Sequence, residues 1–537
     1  MPHLPEPSRR HFLQAGLATS LVASMPRVSF AEENALALEE ATVSDLQAGL
    51  TSGKFTARAL AEQYLARIKA IDQQGPRLRS VLEMNPEALA IAEALDQERK
   101  EKGSRGPLHG IPVLIKDNID TADKMATTAG SLALVGAKPP SDAPIVQRLR
   151  QAGAVLLGKT NLSEWANIRS NRSSSGWSGR GGQTRNPYAL DRNPSGSSSG
   201  SGAAVAASLC AVAVGTETDG SIVSPSSANG IVGMKPTVGL VSRTGIIPIS
   251  HSQDTAGPMC RTVRDAAILL GVLAGVDSED EATLASKGKS HTDYTQFLDE
   301  KGLKGARIGV VRQAGGNHPT VPPVFNTALA MLKKLGAELV DPANIPTQGR
   351  FGAAEMTVLM YELKADLNAY LKRLGPNAPV KSLKEIIAFN EKHKEKELRY
   401  FGQELFLQAE AKGPLTDKEY LDAKERGRRL AGPEGIDAIM DKHKLDALVA
   451  PTAGPPWLID LLSGDRPSGG SSSAAAVAGY PNITLPMGYV YGLPLGLSFF
   501  GRAWSEPVLF KLAYAFEQAT KHRRSPRFLP TVDFGGD

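Results

Sequence analysis

Ser221 lies in the stretch GTETDGSIVSPSS, a Gly-containing turn that follows the small-residue apolar run AASLCAVAV, with a second Ser/Gly turn, NPSGSSSGSG, upstream. Such a turn presents a hydroxyl beside backbone N–H groups that no regular element uses, and those groups are what a developing oxyanion needs. The pairing points to acyl transfer on a serine nucleophile. A serine hydroxyl attacks only when a base takes its proton, and a histidine held by a carboxylate is the commonest base. Beyond residue 31 the histidines are His109, His251, His291, His318, His393, His443 and His522, of which only His109 and His251 lie near the Gly-rich motifs. The other candidate is a lysine deprotonated by burial. Lys116 closes the apolar run over residues 111–115 in GIPVLIKDNID, whereas most other lysines sit in charged helical stretches. The residues alone leave both bases open, together with a plain ion pair between Lys116 and Asp117 or Asp120.

Four stretches together resemble the amidase signature family: GPLHGIPVLIKDNID around Lys116, NPSGSSSGSGAAVA around Ser197, GTETDGSIVSPSSANGIVGMKPT around Ser221, and SQDTAGPM around Asp254. The resemblance covers most of the chain after residue 31. It implies a Ser-cisSer-Lys triad whose middle serine precedes the nucleophile by 24 positions, which is Ser197 here. Ser221 is then the acyl-forming nucleophile, Ser197 the bridging serine with a cis peptide before it, and Lys116 the base. The resemblance further implies an oxyanion hole from the backbone N–H groups of Thr218, Asp219, Gly220 and Ser221. Ser198, Asp191 and Asp254 become supporting hydrogen-bonders, and neither metal nor organic cofactor takes part. The chain departs from the family pattern in three places. Asp219 precedes Gly220 where two glycines are usual, Val223 stands where an arginine often follows, and the upstream tract has three serines where two are usual.

The implied activity is hydrolysis of a carboxamide through a seryl acyl-enzyme, with release of ammonia or an amine. Within the family, TETDGSIV and SQDTAGPM, together with the leader described below, are most similar to the bacterial peptide amidases, which implies C-terminal peptide amides as substrates. The alternatives are an amidase or esterase for aryl, fatty or small amides, and a glutamyl-tRNA amidotransferase A-type subunit. A binding protein on this fold would have lost Lys116, Ser197 or Ser221, and all three are present.

These residues need a scaffold. TVSDLQAGLTSG and TARALAEQYLARIKAID repeat apolar residues at helical spacing, and Asn85-Pro86 opens a third helix. GIPVLIKDNID predicts a buried strand ending at Lys116, followed by the helix PIVQRLRQAG and the strand AVLLGKT. Residues 166–202 form a long Ser/Gly/Asn/Arg-rich tract whose defined turn formers predict a structured loop, not a linker. Residues 203–214 read as a small-residue helix and a strand, and residues 261–274 as an apolar helix. Residues 278–443 are charged and helical, either a wall of the substrate pocket or a solvated face. LDALVAPT, YPNITLPMG and LPLGLSFFG return to strand character before a last helix, EPVLFKLAYAFEQAT. SGGSSSAAAVAGYP, near Ser471, mimics the Ser197 tract but lacks a nucleophile turn downstream, so it reads as a loop leading into a small-residue helix. Strands arriving from both ends of the chain predict one α/β sheet across residues 32–537. The family fold agrees: a single large α/β/α domain around a mixed sheet, with helices on both faces.

The composition, 537 residues with 41% hydrophobic and 22% charged, is that of a globular protein with a large core. At the N-terminus Arg9 and Arg10 precede Phe12 and Leu13 and an apolar stretch over residues 15–23, a pattern that resembles a twin-arginine export signal. Ser29 and Ala31 then predict cleavage after Ala31, and an exported protein, periplasmic or secreted. The apolar stretch falls short of the ~20 residues a membrane-spanning helix needs. Loss of Arg9, Arg10, Arg27 and Glu6 lowers the formal charge from +5 to +3, too little for a nucleic-acid partner. The expected partner is a small-molecule or peptide amide substrate. Cys210 and Cys260 have neither CxxC spacing nor metal-ligand company, so no disulfide framework or metal site is expected.

Ser221→Ala is expected to abolish labelling by a fluorophosphonate probe, read by mass spectrometry of the labelled peptide. Labelling retained at another serine overturns Ser221 as the nucleophile.

Overall fold

A computed structural model of the chain describes residues 38–534, so the leader read over residues 1–31 lies outside the described residues. Short apolar runs between Gly- and Pro-containing turns become strands. The first three are β1 (Val81–Met84), β2 (Pro112–Lys116) and β3 (Val155–Thr160). A small hairpin, β4 (Trp177–Ser178) and β5 (Gly182–Gln183), sits inside the long Ser/Gly tract. Then come β6 (Val212–Glu217), β7 (Val232–Lys235), β8 (Thr255–Cys260), β9 (Arg307–Val310) and β10 (Glu338–Val340). The last are β11 (Ala447–Pro451), β12 (Asn482–Val490) and β13 (Leu493–Phe500).

All but the hairpin join one 11-stranded sheet in the order β1-β3-β2-β6-β8-β7-β12-β13-β11-β9-β10. Pairing is parallel for β2 with β3 and β6, and for β9 with β10 and β11. The remaining neighbours are antiparallel. The strands β2, β3, β6, β8, β11 and β13 are buried along their whole length. Helices cover both faces, which is why these strands read as continuous apolar runs and not as alternating ones. Among the described residues no helix is long and apolar enough to cross a membrane.

The helix Ser199–Ala206 is built of Ser, Gly, Ala and Val and is wholly buried. Its small residues let it lie close against β6, β2 and β3, starting two residues after Ser197. Gly200 donates its N–H to the Asn161 carbonyl at 2.9 Å, and a Cβ there would lie 2.2 Å from the Ser80 carbonyl oxygen. Arg261, fully buried, ties three segments together by donating to the carbonyls of Ala41, Val205 and Cys210.

The structure corrects one part of the sequence reading. Residues 278–443 hold the long helices Val321–Lys334, Gly352–Arg373 and Lys418–Ala431 as expected, but also β9 and β10. These two strands extend the sheet at its edge beyond β11, and at 4 and 3 residues they are too short to display a period. The tract over residues 166–202 is an ordered loop: Trp177 is buried with Arg169 and Phe401 against its ring. Cys210 and Cys260 are both buried and free.

Gly200→Ala is expected to cost about 1 to 3 kcal/mol through overpacking, measured by denaturant unfolding. A wild-type midpoint would overturn the close approach of this helix to Ser80 and Asn161.

Candidate active site

Parallel pairing of β2 with β6 brings the end of one strand beside the end of the other, and Lys116 beside Thr216. Lys116 Nζ donates to Ser197 Oγ at 2.8 Å, to Thr216 Oγ1 at 2.8 Å and to the Thr216 carbonyl at 3.2 Å. Asn118 Nδ2 donates to the same Thr216 hydroxyl at 3.0 Å. No solvent reaches Lys116, and burial pulls its pKa down to about 7 against the opposing pull of Asp254 and Glu217. Neither acid of the ion-pair reading satisfies it. Asp117 accepts from Thr128, the Gly130 N–H and Arg180, and Asp120 accepts from the Tyr370 hydroxyl at 2.8 Å.

The peptide between Gly196 and Ser197 is cis. Ser198, the next residue, fastens this tract to two neighbours. Its N–H donates to the Ser221 carbonyl at 3.1 Å. Its hydroxyl donates to the Thr216 carbonyl at 3.0 Å and accepts from the Thr216 N–H at 3.2 Å. Ser221 is 9% exposed and lies in the turn between β6 and the helix Val223–Ala228. Gly220 has φ +80° there, a backbone conformation that side chains with a Cβ disfavour.

The turn is wound around a residue that the sequence did not single out. The buried Glu217 carboxylate accepts the N–H groups of Gly220 at 2.9 Å, Ile222 at 2.8 Å and Val223 at 3.0 Å. Burial raises its pKa, while Lys235 and these donors favour its charged form. One expectation is thereby corrected: the Gly220 N–H is occupied by Glu217, which leaves Thr218, Asp219 and Ser221 of the four expected oxyanion donors.

The Amidase family model matches residues 59–510. The chain belongs to the amidase signature family. A solved native peptide amidase from Stenotrophomonas maltophilia is 56% identical and superposes with a TM-score of 0.88, covering 91% of this chain and 99% of that one. A "Probable amidase" of Arabidopsis thaliana is 44% identical over 501 residues, 92% of each chain. The A-type subunit of the glutamyl-tRNA(Gln) amidotransferase of Microcystis aeruginosa is 36% identical over 505 residues, 91% of this chain and 99% of that one. The protein is thus an amidase, a hydrolase of carboxamides.

In the amidase, Ser197, Thr216, Thr218 and Asp254 open onto a cavity of about 360 Å³. Ile246, Ile247 and Ile249 give its lining apolar surface, and Arg243, Asp366 and Arg373 give it charge. The helix Gly352–Arg373, from the section expected to be pocket wall or solvated face, lines this cavity with Asp366, Tyr370 and Arg373. Asp254 lines the same cavity. Its carboxylate accepts from Thr218 Oγ1 at 2.5 Å and from the Ile249 and Ser250 N–H groups, and burial pushes its pKa up to about 6.

Other candidates fall away. Asp191 accepts from Thr531 Oγ1 at 2.6 Å and gives its carbonyl to Ile459, so it fastens the loop to C-terminal segments and is not a partner of the triad. His109 is a buried anchor, with Nδ1 accepting from the Arg105 N–H at 3.0 Å. His251 faces the cavity but pairs with Asp366 at 2.9 Å and Glu362 at 3.0 Å. The tract near Ser471 does lead into a small-residue helix, Ser473–Ala478, and Ser473 Oγ donates to Asp219 Oδ2 at 2.6 Å.

Only a neutral Lys116 can accept a proton, and its pKa lies at about 7. Activity should therefore rise with pH through neutrality. A kcat/KM profile checks this, and a profile flat from about pH 5.5 to about pH 8.5 would exclude Lys116 as the base.

Proposed function

We propose that this amidase hydrolyses C-terminal amides of peptides, with Ser221 as nucleophile, Ser197 as proton bridge and Lys116 as base. The reading rests on one observation above all: a fully buried lysine amine is hydrogen-bonded to the hydroxyl of the cis-linked Ser197. A neutral Lys116 spends its two N–H groups on the Thr216 carbonyl and hydroxyl, which aims its lone pair at Ser197. As Ser221 Oγ bonds to the carboxamide carbon, its proton moves to Ser197 and the Ser197 proton moves to Lys116. The carbonyl oxygen takes up negative charge, which the N–H groups of Asp219 and Ser221, with that of Thr218, are positioned in sequence to receive. The proton returns through Ser197 to the departing nitrogen as the C–N bond breaks, and ammonia leaves. Water then repeats the relay on the acyl-enzyme and releases a carboxylate.

Peptide amides are the substrates favoured by the 56% identity to the peptide amidase of Stenotrophomonas maltophilia. The 360 Å³ cavity, lined by isoleucines and by charged side chains, suits a ligand that carries an apolar side chain and a polar backbone. The twin-arginine-like leader supports an exported enzyme over an amidotransferase component, whose partner reaction is cytosolic.

Ammonia release should be much faster from an amidated dipeptide than from glutamine or acetamide, and should not change with EDTA. The opposite ranking would remove the peptide-amide assignment, and inhibition by the chelator would contradict a relay of side chains alone.

A further inference from the structure

The nucleophile turn is also gripped from outside, by side chains from three distant parts of the chain. Asp219 Oδ2 holds Ser473 Oγ, in the first turn of the helix Ser473–Ala478. Asp219 Oδ1 is buried, and no N–H or hydroxyl group of the described residues donates to it. The Glu355 carboxyl, in the first turn of the helix Gly352–Arg373, lies in hydrogen-bond contact with that of Asp219. Glu355 Oε1 in turn accepts from Gln253 Nε2 at 3.0 Å, and the same amide donates to the Thr218 carbonyl at 3.3 Å. Two carboxyl groups in contact need a proton between them.

We propose that Glu355 is a positioning residue for the oxyanion donors: its carboxyl donates a proton to Asp219 and accepts from Gln253, clamping the Thr218–Asp219 backbone from both sides. This rests on the assignment of the Thr218, Asp219 and Ser221 N–H groups to the oxyanion. Asp219 occupies the position where the family usually has a glycine, which could not take part in such a clamp. Asp219 therefore brings a side-chain anchor to the turn, and Glu355 is the group that lets a second acid sit beside it.

The charges around the pair are mixed. His251, Lys424 and Arg428 line a cavity of about 430 Å³ on the outer side of Glu355, with Tyr480 and Gln253. Glu217 and Lys235 lie on the inner side of Asp219. Burial, then the charge of Asp219, raises the Glu355 pKa to about 8. The proton is held at neutral pH and lost as pH rises through about 8, leaving two carboxylates facing each other in the turn. Activity should therefore fall on the alkaline side, separately from its rise through the Lys116 titration near 7.

The test compares Glu355→Gln and Glu355→Ala with wild type, by steady-state kinetics across pH and by fluorophosphonate labelling of Ser221. The glutamine amide can donate to Asp219 and accept from Gln253 without titrating. Glu355→Gln should keep kcat within roughly 3-fold at pH 7 and lose the alkaline fall. Glu355→Ala should lose kcat by roughly 10- to 100-fold, less than removal of an oxyanion donor outright, with KM within roughly 2-fold. A wild-type alkaline limb in Glu355→Gln overturns the proposal, as does a wild-type kcat in Glu355→Ala. If the alanine variant does not fold, the pH profile of Glu355→Gln decides alone. Failure here with Ser221 still labelled and the rise near neutrality intact removes only the clamp, whereas an unlabelled Ser221 in wild type removes the reading beneath it.

Discussion

Removing an ammonium group from water costs several kcal/mol that a few neutral hydrogen bonds do not return, and Lys116 lies wholly inside the protein. The chain resolves the conflict by letting the amine lose its charge. Two other lysines of the sheet, Lys159 and Lys235, are equally buried and likewise donate to carbonyl and hydroxyl oxygens. Burial lowers the pKa of each, but the carboxylates Asp117 and Asp120 act against this for Lys159, and Glu217 and Glu506 for Lys235, which stays at about 8. For Lys116 the acids Asp254 and Glu217 act in the same way, and its pKa is drawn down to about 7. Burial is common to all three, and contact with the hydroxyl of the cis-linked Ser197 is what Lys116 adds to it.

That condition explains much of the architecture. Water must be kept from the end of β2, so both faces of the central strands have to be covered. The helix that covers them near Lys116 begins immediately after Ser197. Bulky side chains would hold this helix away from the sheet; Ser, Gly and Ala bring its backbone against Ser80 and Asn161. The same closeness lets Ser198 reach Thr216 and Ser221 at once. The packing of this helix and the placing of Ser197 against Lys116 are therefore one arrangement: a larger residue in the Ser/Gly tract would open the core and part the two.

The sequence made Lys116 legible because a charged residue closing an apolar strand is anomalous. Ser197 and Ser221 became legible through the family interval, and the fold joins the first of them to Lys116 by a hydrogen bond. The same anomaly marks Glu217, at the end of VAVGTE, and Lys235, at the end of IVGMK, yet neither stands out as a nucleophile or a base. Attention to those two roles overlooks a carboxylate whose task is to hold three N–H groups. Gly220 is misjudged from sequence for the same reason: its N–H counts as available until its acceptor is recognised. Asp191 shows the opposite error, since motif proximity suggests a partner for the triad where only the three-dimensional path of the loop reveals Thr531. The edge strands β9 and β10 stay hidden because 3 or 4 residues carry too little pattern to outweigh the charged helices around them.

Inner and outer anchors of the nucleophile turn also differ in what they permit. Glu217 winds the turn from within, through backbone N–H groups, and any residue sequence with a glycine at 220 could follow that path. The outer contacts are made by side chains, Asp219 with Ser473 and Gln253 with Glu355 and the Thr218 carbonyl. Those side chains come from the SQDTAGPM loop, the helix Gly352–Arg373 and the second Ser/Gly tract, which are also walls of the two cavities. Ser197, Glu217 and Thr218 line the first cavity together, so its walls adjoin the inner and the outer anchors of the turn alike.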